Sequence, residues 1–131
     1  EEGVKVIVAH CAAGGGDREG SYFYRFIDMV ENYPNLYGDI SGLGMLHYQR
    51  RMRYLLDHPT LFERMYYGSD FPLLSFPFTS PYYFLGRIPL SEVWIIQKMD
   101  NILLRDAAKL RALGVPAECL ARGMELLRET T

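Results

Sequence analysis

The sequence predicts an α/β fold built on parallel strands, and three observations carry that prediction. Three short apolar runs, residues 4–9, 36–40 and 65–68, are rich in the β-branched and aromatic residues that suit strands. The segments between them are long enough for a crossover helix and carry apolar residues at helical spacing. Two of the runs end on side chains that bind metals or move protons, His10 and Asp70. In parallel α/β proteins the C-terminal ends of the strands are where chemistry sits.

Each element has its own reason. Residues 4–9 are almost continuously apolar, as in a strand covered on both faces. If His10 points inward, so do Val8, Val6 and Val4, while Lys5 faces outward. Gly14, Gly15 and Gly16 then form a loop able to pass close to a ligand. Ser21 is placed to cap a helix to residue 32, with Phe23, Phe26, Ile27 and Val30 as its apolar face. Pro34 ends it. The second strand, 36–40, runs into Ser41 and Gly42. A helix over 48–57 has Met52, Leu55 and Leu56 as its stripe and Arg50, Arg51 and Arg53 as its solvated side. His58 and Pro59 break it, and a turn over 61–64 leads to the third strand, which Pro72 prevents from continuing.

Residues 71–89 form a long loop with four prolines. Its aromatic surroundings (Tyr66, Tyr67, Phe71, Phe76, Phe78, Tyr82, Tyr83 and Phe84) either wall a substrate pocket or pack over the end of the sheet. Three helices close the chain. Ser91 caps one over 92–99, a second spans 102–113 and stops at Gly114, and a third spans 117–129.

The 131 residues are enough for one domain with a real core. Apolar content of 49% and charged content of 23% are those of a soluble globular protein. A net charge of −2 gives no electrostatic case for nucleic acid or an acidic membrane as partner. No apolar run approaches the ~20 residues of a membrane helix, and no secretory leader is visible. Cys11 and Cys119 are too far apart in sequence for a CxxC metal site, so a reducing cytoplasm is the expected compartment. The start at Glu1 without an initiator Met reads as a piece of a longer protein.

Three stretches now stand together: 6–10 ending in His10 before the glycines, 35–42 reading Asn-Leu-Tyr-Gly-Asp-Ile-Ser-Gly, and 68–72 reading Gly-Ser-Asp-Phe-Pro. In that order they resemble the amidohydrolase-related metal-dependent hydrolases, over about residues 3–116. The resemblance extends through Ala107, Ala108, Lys109 and Leu110, which look like that family's final barrel helix. It implies a TIM-like (β/α)8 barrel whose sixth, seventh and eighth strands are the three here. It also implies a small-molecule substrate and a divalent metal ion, zinc foremost, for hydrolysis of an amide, ester or lactone or a related nonoxidative decarboxylation. Asp70 resembles the carboxylate that binds the metal and takes a proton from its water. His10 resembles the histidine that polarises substrate or shuttles protons.

The departures are equally legible. The only histidines are His10, His47 and His58, so the His-x-His pair of the family's first strand is absent. A complete barrel needs ~200 residues or more. Residues 1–131 therefore read as a single incomplete domain: the C-terminal portion of a barrel, about three βα units plus terminal helices. The rival reading is a noncatalytic barrel remnant, a binding or assembly module that self-associates into a homo-oligomer through exposed edges or aromatics. Of the remaining residues, Cys11 reads as a small buried hydrophobe. Asp39 and Ser41 contact substrate or bond to nearby loops. His47 reads as a surface residue and His58 as a helix terminator.

Overall fold

The computed structural model describes residues 4–14, 21–72 and 79–129, with side chains as far as Gly123. Its sheet has three strands in the order β1-β2-β3: β1 (Val6–Val8), β2 (Leu36–Asp39) and β3 (Met65–Tyr66). Both pairings are parallel, with Val6 opposite Leu36, Val8 opposite Gly38, and Gly38 opposite Met65. Helix α1 (Tyr22–Asn32) connects β1 to β2. Helix α2 (Gln49–Asp57) and a 3-10 turn (Pro59–Arg64) connect β2 to β3. Helices α3 (Leu90–Gln97), α4 (Ile102–Ala112) and α5 (Ala117–Glu129) follow. The predicted β-α-β-α-β order and parallel pairing are therefore present, on strands shorter than the apolar runs.

The predicted apolar face of α1 is the buried one: Phe23, Phe26, Ile27 and Val30 all lie in the core with Met52 and Leu55 of α2. Burying each such side chain contributes about 1.5–3 kcal/mol. Packing is tight at Gly38, where a Cβ would come within 2.7 Å of Cys11 Sγ, Met65 Sδ and Phe26 Cζ. Any side chain there would push β2 off both α1 and its neighbouring strands.

Several expectations are corrected. Strand β1 is an edge strand, and among the described residues nothing covers it on both faces. Val6 is 50% exposed and Ile7 41%; only Val8 packs against the core, so there is no buried row of Val4, Val6 and Val8. Arg51 is not on a solvated face: it is 2% exposed, with its guanidinium 5.1 Å from the centre of the Tyr48 ring. An aromatic face offers a desolvated guanidinium partial compensation. Arg53 is half-buried and donates to the Tyr83 carbonyl at 3.3 Å, while Arg50 is exposed as expected. Ser21 stands at the N-cap of α1 without a capping bond from its side chain. Ser91 lies inside α3, which starts after Pro89.

The capped helix is instead α4. Asn101 Oδ1 accepts the amides of Leu103 and Leu104 at 3.0 and 3.1 Å, a cap worth about 1 kcal/mol. Its other end closes as predicted at Gly114, whose φ of +95° suits glycine. The Gly114 amide reaches the Arg111 carbonyl and the Val115 amide reaches that of Leu110, while Leu110 and Val115 are both buried.

The outer edge of β3 is covered. The Tyr66 carbonyl accepts the Ile40 amide at 2.9 Å, so the flanking Met65 carbonyl points away from β2. Arg122 of α5 takes that carbonyl at 2.5 Å and the Phe62 carbonyl at 2.8 Å. Behind the strand ends, Lys109 is 1% exposed and pairs with Asp106 at 2.7 Å. The Tyr67 hydroxyl donates to the same carboxylate at 3.0 Å. Burial, reinforced by Asp106, pushes the Tyr67 phenol far above its ordinary range.

Candidate active site

The C-terminal ends of the three strands bring together residues far apart in sequence. His10 follows β1, Asp39 ends β2 with Ser41 beyond it, and Asp70 follows β3. Gly42 sits between the two predicted site residues. A Cβ on it would lie 3.3 Å from Asp70 Oδ2 and 3.4 Å from His10 Nδ1. Its φ of +70° also suits glycine. His10 and Asp70 thus lie on either side of one residue that lacks a side chain.

The backbone there is strained. His10, Cys11 and Ala12 have φ of 52°, 48° and 55°, and Asp70 has 52°. Left-handed conformations at residues other than glycine cost about 1–3 kcal/mol each and cluster at functional sites. Two contacts hold the first turn. Cys11 is fully buried, and its thiol donates to the Asp39 carbonyl at 3.3 Å. The Ala13 amide returns to the His10 carbonyl at 2.8 Å. Burial, with the Asp39 carboxylate adding to it, pushes the Cys11 thiol well above its usual range. That sulfur is structural, in line with the reading of Cys11 as a small buried hydrophobe.

Asp39 and Ser41 organise the middle of the site. Asp39 Oδ1 accepts the Ser41 amide at 2.6 Å, and Oδ2 accepts the Ser41 hydroxyl at 2.8 Å. Ser41 also faces His10, with Nδ1 lying 2.8 Å from its carbonyl oxygen and 3.0 Å from its hydroxyl. Sequence reasoning left Asp39 and Ser41 between substrate contact and loop bonding. The available signal was an Asp two residues before a Ser at a strand end, the spacing of an Asx turn.

The other candidates separate. His47 and His58 are exposed; His58 stacks on Tyr54 and bonds its carbonyl, apart from the site. Among the described residues the aromatics form no single wall: Phe84 is fully buried in the core, Tyr66 is buried, and Phe71 and Tyr82 are exposed. Phe76 and Phe78, like Gly15 and Gly16, lie outside the described residues. An open groove between α3 and α4, lined by Met99, Leu104 and Arg111 among others, shares no residue with the site.

A family model described as Amidohydrolase matches residues 2–114. The chain belongs to the amidohydrolase family. No curated protein and no solved structure matches it. For an amidohydrolase, whose fold is a (β/α)8 barrel, three adjacent parallel strands with intervening helices are consistent with part of that barrel. Helix α5 lies beyond the matched residues. Among the described residues no group of three or more His, Cys, Asp or Glu side chains could hold a metal ion. A catalytic zinc takes three protein ligands. Among those residues, too, no helix is long and apolar enough to cross a membrane.

Proposed function

We propose that this amidohydrolase chain contributes Asp70 and His10 to the active site of a hydrolase, in which Asp70 is the proton-accepting carboxylate and a metal ligand. The observation carrying this reading is that the two side chains meet at Gly42 from separate strand ends on left-handed backbone. Among the described residues, neither the Asp70 carboxylate nor His10 Nε2 has a hydrogen-bond partner, so both retain capacity for a reactant. A divalent cation such as zinc, when bound, would supply a water acidified to near neutrality. Further ligands for it would come from outside the described residues. Asp70 accepts the proton of the attacking water, and His10 manages the proton of the leaving group. Amide, ester and lactone opening all suit this division of labour; a related nonoxidative decarboxylation would need the pair to deliver a proton to the carbon that loses CO2 instead.

The test is metal content after zinc reconstitution, with turnover on a panel of esters, lactones and amides and a separate assay of CO2 release. It compares the native chain, within the longest polypeptide that carries it, with Asp70→Asn. Loss of both metal and turnover in the variant is the expected result; retention of both overturns the assignment. The small donor set supports a second reading, a noncatalytic binding module of the same fold. That reading expects no stoichiometric metal under any reconstitution, together with self-association.

A further inference from the structure

We propose that Asp39 and Ser41 are positioning residues that hold His10 in its Nδ1-protonated form, leaving Nε2 as the electron-pair nitrogen. This deepens the functional reading above and, for its catalytic meaning, rests on it. The argument follows the protons. An ionised carboxylate only accepts hydrogen bonds, and a hydroxyl has one proton to give. Asp39 Oδ2, 2.8 Å away, takes the Ser41 proton. The same hydroxyl, 3.0 Å from His10 Nδ1, therefore turns a lone pair towards the ring. The Ser41 carbonyl, 2.8 Å from Nδ1, also only accepts.

Two acceptors thus converge on one ring nitrogen. A lone pair there would face both without compensation, in a place where Ser41 is 4% exposed and little water competes. A proton on Nδ1 satisfies both. A neutral imidazole has only one N–H, so Nε2 is left to accept. Asp39 also keeps Ser41 in place, because its Oδ1 holds the Ser41 amide. The hydroxyl cannot rotate to donate to the ring without abandoning that carboxylate.

The assignment narrows the role of His10. In this form the neutral ring takes up a proton at Nε2 or offers that nitrogen's pair to an electrophile. It cannot polarise a substrate carbonyl by donating from Nε2 until it has gained a proton. Of the two roles the family resemblance allows, proton transfer is selected.

Nitrogen-15 NMR of the uniformly labelled protein, at a pH where the ring is neutral, tests this directly through long-range couplings to the ring carbons' protons. A His10→Gln variant identifies the His10 signals among those of the three histidines. The expected result is a pyrrole-type Nδ1 and a pyridine-type Nε2; the reverse pattern overturns the proposal. In Asp39→Ala, with the hydroxyl released, both His10 signals should move towards the averaged positions of a tautomer mixture. Unchanged signals in that variant would remove Asp39 from the argument. Ser41→Ala, which keeps the carbonyl, should give a smaller displacement in the same direction. Because the readout is the ring itself, a correct tautomer with full turnover in Asp70→Asn would sink the catalytic reading alone.

Discussion

The two ends of the sheet are built from opposite chemistry. At the C-terminal end, the Asp39 carboxylate, the Ser41 hydroxyl and the His10 imidazole face one another, and His10 and Asp70 stand on left-handed backbone. At the N-terminal end, arginines cap main-chain carbonyls. Arg64 donates to the carbonyls of Tyr33, Pro34 and Leu36, and Arg122 to those of Phe62 and Met65. The first end stores backbone strain, and among the described residues it leaves the Asp70 carboxylate and His10 Nε2 without hydrogen-bond partners. The second uses guanidinium groups to complete the hydrogen bonds of main-chain carbonyls, with Arg64 also lying over the Tyr37 ring. In barrels of parallel strands, residues at the first end act in chemistry and residues at the second in stability. Substitutions at the two ends should therefore fail in different assays.

The largest effect expected is at Asp70. Asp70→Asn should lower turnover by about 100- to 10,000-fold, the usual contribution of a positioned acid or base. Its urea midpoint should stay close to that of the native protein, because the carboxylate makes no hydrogen bond among the described residues. A comparable loss of stability would erase the contrast between the ends. Next comes the ion pair behind the strand tips. Lys109→Met leaves Asp106 buried and uncompensated and should cost about 3–5 kcal/mol in a denaturant titration. Adding Asp106→Leu should recover part of that loss, less the bond that Asp106 also accepts from the Tyr67 hydroxyl. Third is the N-terminal end: Arg122→Met should cost about 1.5–3 kcal/mol, the range for hydrogen bonds from a charged donor, and leave metal content alone.

The smallest effect is a pH dependence. Burial raises the Cys119 thiol from 9.0 to about 11. The unfolded chain therefore gives up that proton at a lower pH than the folded chain does. Below about pH 9 the contribution to stability is fully present, and it falls away as pH climbs towards 11. A Cys119→Ala variant should show a shallower decline over that window when thermal unfolding is followed.

What the sequence disclosed and what it withheld differ in physical kind. The order of strands and helices, the apolar face of α1, the stop at Gly114 and the placing of His10 and Asp70 after strand ends rest on periodicity, turn chemistry and strand-end position, all local signals. Arg51 was misjudged because its charge was read as a mark of solvent exposure, whereas it is buried with its guanidinium over the ring of Tyr48, three residues earlier. Ser21 and Ser91 carry the right side chain for a cap but not the backbone around it, whereas Asn101 has both. The left-handed turn at Cys11 and Ala12 was illegible because neither residue type signals it. Tertiary contacts to Asp39 impose it.

That fastening has a bearing on how β1 comes apart. The strand lies at an open margin, yet its histidine end is moored to the interior strand twice, by the Cys11 sulfur and through Ser41. Fraying should accordingly begin near Val4 and travel forward, with deuterium entering at Val6 before Ala13. His10 would then stay in register with its neighbours after the beginning of its own strand had let go.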